Sequence, residues 1–163
     1  MRRSLVVALV VAVVAGCTPS EKPKEQAGAG AAAASSSWVK IAPSGGPLAA
    51  QLKSKIAGAP PGTKPVVYVG ATWCGPCVSI KKTKSDPLMV DAFRGAFVIE
   101  LDLDEWKDAD LTPLGYKTGA IPVFFAVDGE GKALGPKIDG GAWGDNVPAN
   151  MAPPLKKFVA SLP

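Results

Sequence analysis

Pro65-Val66-Val67-Tyr68-Val69-Gly70-Ala71-Thr72-Trp73-Cys74-Gly75-Pro76-Cys77 runs from an apolar stretch of strand length directly into two cysteines separated by two residues. Two thiols one helical turn apart can close a small ring on oxidation. The first sulfur, set at a helix N-terminus, is stabilised as thiolate by unpaired backbone N–H groups and the helix dipole. Thiolate is the species that attacks disulfides, so the residues alone read as a reversible dithiol/disulfide pair. A bridge across two residues closes too small a loop to constrain an unfolded chain, which argues for chemistry rather than stapling.

The third cysteine lies at the front of the chain. Arg2 and Arg3 form a basic start, Leu5 to Ala15 a short apolar run, and Val14-Ala15-Gly16-Cys17 resembles the lipidation box of a bacterial lipoprotein. The run is too short to span a bilayer and fits a removed export signal. Residues 1–16 are therefore read as signal and Cys17 as the lipid-bearing residue, the alternatives being an uncleaved anchor or an ordinary signal peptide in which Cys17 is incidental. Thr18 to Ser37 is rich in Pro, Gly, Ala and Ser without apolar periodicity. With Cys17 it reads as a flexible tether over 17–37, with a reach of roughly 25 Å. These features place the folded body outside the cytoplasm, lipid-anchored in a bacterial cell envelope, and in the periplasm if the cell has two membranes.

Residues 38–163, about 125 in number, are one domain's worth of core. Lys+Arg 18 against Asp+Glu 14 gives +4, and loss of Arg2 and Arg3 leaves 16 against 14, a net of +2. That balance is too mild for a nucleic-acid partner. The chain has no histidine, which removes the usual acid/base near neutral pH and the commonest transition-metal ligand.

Along the body, Pro47 is predicted at the first position of a helix carrying Leu48, Leu52 and Ile56 on one face and stopped by Gly58. A strand follows at Val66 to Val69, then a helix from Cys74 through Lys84, restarted at Asp86-Pro87 and ended by Gly95. Phe97 to Leu101 is a second strand and Leu111 to Tyr116 a short helix. Val123 to Val127 and Lys132 to Ile138 form a hairpin about Asp128-Gly129-Glu130-Gly131. A last helix is predicted over Pro154 to Leu162. Strands alternating with helices and ending in a hairpin predict an α/β protein with a mixed sheet covered on both faces.

This order resembles the thioredoxin fold from Trp38 to Pro163. Two stretches carry the resemblance: Trp73-Cys74-Gly75-Pro76-Cys77, and Thr118-Gly119-Ala120-Ile121-Pro122 ahead of a strand and a Gly-containing hairpin. The resemblance implies that Pro122 is cis and faces the cysteines, with Ile121 offering its backbone to an extended substrate. It implies that Cys74 is the attacking and Cys77 the resolving thiol, and that Trp73, Gly75 and Pro76 shape the approach. It also exposes departures. Tyr68 occupies the place of the family's buried acid, and Gly70 that of a tryptophan packed beneath the site. Glu100 lies near a charged family position and becomes the candidate proton acceptor, a solvated strand-end acid being the alternative. The stretch from Asp139 to Pro148 is longer than in a minimal thioredoxin and is expected to cover the Pro122 side, the alternative being a packing role in which Trp143 fills the space that Gly70 leaves.

The resulting expectation is a thiol–disulfide oxidoreductase, the Gly-Pro dipeptide between the cysteines resembling the reducing members. Its expected partners are disulfide-containing exported proteins and an unidentified membrane electron donor, with contact to the membrane through lipid. The chain is read as a monomer needing no cofactor and no metal. Two rivals stand beside it: a Cu(I)-binding or metallochaperone module using the two soft ligands of the Cys-x-x-Cys pair, and a binding scaffold whose thiols are dispensable.

Overall fold

The computed structural model describes residues 36–163. The expected export signal, Cys17 and nearly all of the tether lie outside the described residues. Among the described residues no helix is long and apolar enough to cross a membrane.

Five strands form one mixed sheet: β1 (Ser37–Lys40), β2 (Lys64–Gly70), β3 (Ala96–Asp102), β4 (Val123–Val127) and β5 (Ala133–Asp139), in the order β1-β3-β2-β4-β5. β3 runs parallel to both β1 and β2. β4 is antiparallel to β2, and the β4–β5 hairpin closes the second edge. The helices are α1 (Leu48–Ala57), α2 (Gly75–Thr83), α3 (Pro87–Ala92), α4 (Asp108–Leu111) and α5 (Pro148–Ala160). This is the expected α/β architecture, a thioredoxin fold.

Side chains alternate across the strands, so each strand feeds two separate cores. Val66, Tyr68, Val98, Phe124 and Ala126 face α2, α3 and α5 through Ile80, Met89, Phe93, Met151, Leu155 and Phe158. Val67, Val69, Ile99, Leu101, Val123 and Phe125 face α1 and α4 through Leu48, Leu52 and Leu111. Gly131, at φ +80°, closes the hairpin turn against α1: a Cβ there would lie 2.6 Å from that of Leu52. Tyr116 donates its hydroxyl to the Gly131 carbonyl, fixing the same turn from the other side.

The boundaries that differ from the sequence reading include three helix starts. Pro47 caps α1 rather than opening it. The short helix begins at Asp108, where Lys107 N–H donates to the Asp110 carboxylate at 3.1 Å, and continues as a 3-10 turn to Leu114. α5 starts at Pro148, a full turn and more before Pro154, and holds Pro153 and Pro154 inside it. Those two prolines remove N–H donors that Ala149 and Asn150 carbonyls would otherwise receive. Both residues are exposed, so water can take the place of the missing donors. Burial of Met151 and Ala152 in line with Leu155 holds the early turn in place.

Candidate active site

β2 delivers the cysteines. It ends at Gly70, whose carbonyl accepts from Leu103 N–H at 2.9 Å, and the chain then turns through Ala71 and Thr72 into α2. The turn is tied to the loop after β3. Asp104 accepts from Thr72 through its backbone N–H at 3.1 Å and its hydroxyl at 2.5 Å, and from the Trp73 indole at 2.9 Å. The Thr72 hydroxyl first, with the other donors, holds the Asp104 carboxyl below its usual range. Trp73 is thereby fixed although 70% exposed.

Cys74 is the N-cap of α2, in extended conformation at φ −82° and ψ 109°. Its sulfur accepts from Cys77 N–H at 3.2 Å, one of the N–H groups that a helix start leaves without a carbonyl partner. Pro76, in the first turn, lacks an N–H where the helix does not require one. Cys74 and Cys77 form a disulfide with Cα atoms 5.2 Å apart. Cys77 is fully buried and Cys74 is 6% exposed, so the first sulfur offers only a small accessible area in the oxidised form.

The Ile121–Pro122 peptide is cis. It faces the disulfide, with the Cys74 sulfur 3.7 Å from the Ile121 carbonyl oxygen. Ile121 and Leu103 pack on Ala71, Cys74 and Cys77. The segment after β5 covers the far side of Pro122. Gly140 N–H donates to the Pro122 carbonyl at 3.0 Å, and a Cβ at position 140 would sit 3.3 Å from Pro122 Cδ. The alternative packing role, Trp143 beside Gly70, is not what the structure shows. The ring of Tyr68 fills that space: a Cβ at position 70 would run into its hydroxyl oxygen and lie 2.8 Å from Cζ. Trp143 is instead buried in the α5 core, with its indole donating to Asn146 at 3.0 Å.

Beneath the cysteines lies a polar layer. Tyr68 is fully buried, and its hydroxyl donates to the Cys77 carbonyl at 3.5 Å. Burial first, then the carboxylates of Glu100 and Asp102, push its ionisation well above the usual range, so it stays a neutral hydroxyl. Glu100 pairs with Tyr68 across the β2–β3 register and projects to the same face. It is buried and bound to Lys81 of α2 at 2.5 Å. Asp102, 2% exposed, lies 3.8 Å from Lys81 and 3.5 Å from Lys40 of β1. Lys40 in turn meets Glu105 at 2.7 Å, and that hydrogen bond is the main cause of its raised pKa.

The structure thus gathers Cys74, Cys77, Trp73, Gly75, Pro76, Ile121 and Pro122 at one end of the sheet, with Glu100 in the layer below. Lys81 and the tie from Asp104 to Trp73 were not identified from sequence. Lys81 follows Cys77 by four positions, which puts both on one helix face, and that spacing was the available signal.

No protein-family model and no curated protein sequence matches the chain. Among solved structures, it is similar to a thioredoxin pre-protein of Schistosoma mansoni at 22% identity, with 76% of this chain and 99% of that one covered and a TM-score of 0.47. A mutant thioredoxin from Halobacterium salinarum matches at 19% identity over 77% and 88%, TM-score 0.47. Oxidised thioredoxin O2 from Arabidopsis thaliana matches at 22% over 68% and 85%, TM-score 0.38.

Proposed function

We propose that this protein is a thiol–disulfide oxidoreductase of the bacterial cell envelope that reduces disulfides of exported proteins through Cys74 and Cys77. The observation that carries the reading is the closed Cys74–Cys77 pair at the start of α2, facing the cis Ile121–Pro122 peptide.

In the reduced protein, the Cys74 thiolate attacks one sulfur of a partner disulfide and displaces the other as thiolate. Cys77, deprotonated, then attacks the Cys74 sulfur of the mixed disulfide. The second partner thiolate leaves and the Cys74–Cys77 bond forms. Two electrons pass to the partner, and a membrane electron donor returns the pair to the dithiol. Ile121 and Pro122 hold the partner's backbone by short β-type pairing, while Trp73, Gly75 and Pro76 shape its approach. Glu100 is the proposed acceptor of the Cys77 proton. No cofactor enters this scheme.

Insulin reduction coupled to a dithiol reductant tests the reading. Wild type is expected to turn over and Cys74→Ser to be inactive. Equal activity of the two sinks the reading in favour of a scaffold, and stoichiometric copper in the purified inactive protein would point to metal carriage. Lipid attachment at Cys17 is part of the proposal and predicts that Cys17→Ala leaves the membrane fraction. Unchanged fractionation and mass would defeat it.

A further inference from the structure

Lys81 is a cation that the resolving helix carries into a largely buried acidic layer. It lies one turn beyond Cys77 on the same face of α2, where side chains four apart are neighbours. Its ammonium is 2.5 Å from Glu100 and 3.8 Å from Asp102, both on β3. The charged and titratable groups of this layer come from every element around it: Lys81 from α2, Lys40 from β1, Tyr68 from β2, Glu100 and Asp102 from β3, and Asp104 and Glu105 from the loop beyond. Tyr68 is held neutral by burial and by the two acids. The group directly under Cys77 therefore brings no charge. The charge of this layer is the balance between the acids on β3 and the loop beyond it and the two lysines that offset them.

We infer that Lys81 is a positioning residue for the resolving step: held by Glu100 and Asp102, its charge stabilises the Cys77 thiolate and draws the end of α2 onto β3. The inference rests on the dithiol reading above. In a partly screened interior, a unit charge several ångströms away changes a thiol's ionisation by about one pH unit. Removing Lys81 also leaves Glu100 and Asp102 with one cation fewer, which pushes the thiol the same way. Resolution at neutral pH scales with the fraction of Cys77 present as thiolate, so the expected loss is about tenfold.

The experiment uses an aryl disulfide whose released nitrothiobenzoate absorbs visible light. The reduced protein releases one equivalent when Cys74 forms the mixed disulfide and a second when Cys77 resolves it. Lys81→Met is expected to move the pH midpoint of the second phase upward by about one unit, and Lys81→Arg to restore it, while the first phase changes less. A purely structural lysine would lower the melting temperature of Lys81→Met without moving that midpoint. Superimposable second-phase profiles for wild type, Lys81→Met and Lys81→Arg overturn the inference. If Lys81→Met does not fold, Lys81→Gln carries the same test. Absence of any second phase in wild type is a different result: the dithiol reading itself then fails, and this inference falls with it.

Discussion

The two faces of the sheet begin alike and end differently. Along β2 and β3, the face toward α1 and α4 stays aliphatic to the end, with Val67 beside Ile99 and Val69 beside Leu101. The face toward α2 starts with Val66 beside Val98, then becomes Tyr68 beside Glu100 and Gly70 beside Asp102. Buried carboxylates are costly unless paired, and here each has a lysine brought by a neighbouring element. Polarity is confined to the end of the one face that lies under the disulfide. The same strands thus supply an apolar anchor on one side and an electrostatic environment for a sulfur on the other.

The largest effect expected is on the apolar side. Leu101 is fully buried, so Leu101→Ala should cost about 2–5 kcal/mol by denaturant unfolding, from lost burial and the cavity left behind. It should leave the pH midpoint of mixed-disulfide resolution where it is. A shift in that midpoint would show that the two faces are not separable.

On the polar side, Gly70→Ala forces a methyl into the Tyr68 ring, and overpacking of this kind typically costs about 1–3 kcal/mol. The penalty should shrink in a Tyr68→Leu background, because the ring is what occupies the space. An unchanged penalty in the double-mutant cycle would mean that Gly70 is required by the backbone instead.

The next effect is kinetic. If Glu100 accepts the Cys77 proton, Glu100→Gln should slow resolution about tenfold or more at neutral pH, at the low end of general-base effects. Superimposable profiles for Glu100→Gln and wild type would return Glu100 to a purely structural pairing with Lys81.

These contrasts explain what was legible in the sequence. The Trp73-to-Cys77 string and the Val123-to-Val127 strand carry their signals locally, through residue spacing in the one and an uninterrupted apolar run in the other. β1 was not read as a strand. Ser37-Trp38-Val39-Lys40 is too short to show a period, and it is a strand because β3 offers a parallel edge. Pro154 looked like a helix start because proline favours the first turn. Burial of Met151 and Ala152 outweighed that preference and set the start at Pro148. The polar layer was half visible. Glu100 could be noted as a charge in an apolar strand, but its partner Lys81 looks like any lysine on a helix until the fold brings the two together. Gly70 was recognised as a gap, yet its occupant, two residues away on the same strand, is evident only from where the Tyr68 ring lies.

The smallest effect concerns the rim, where Asp104 fixes Trp73. Thr72 and the indole hold the Asp104 carboxyl below the usual carboxylate range, so the ionised form is the one that makes these contacts. A group whose pKa is depressed in the folded protein contributes at pH values above its unfolded pKa. That contribution is lost as pH falls through the folded value. The Trp73 indole N–H resonance should therefore hold constant from neutral pH down through the ordinary carboxylate range and move only below it, as the contact breaks. In Asp104→Ala it should sit at the solvent-exposed position throughout, with little change in global stability, because the ties are at the surface. If the wild-type resonance instead moves within the ordinary carboxylate range, Trp73 is not held by a stabilised Asp104 carboxylate. The rim would then be as loose as its exposure alone implies, and the rigidity of the site would come only from the layer beneath α2.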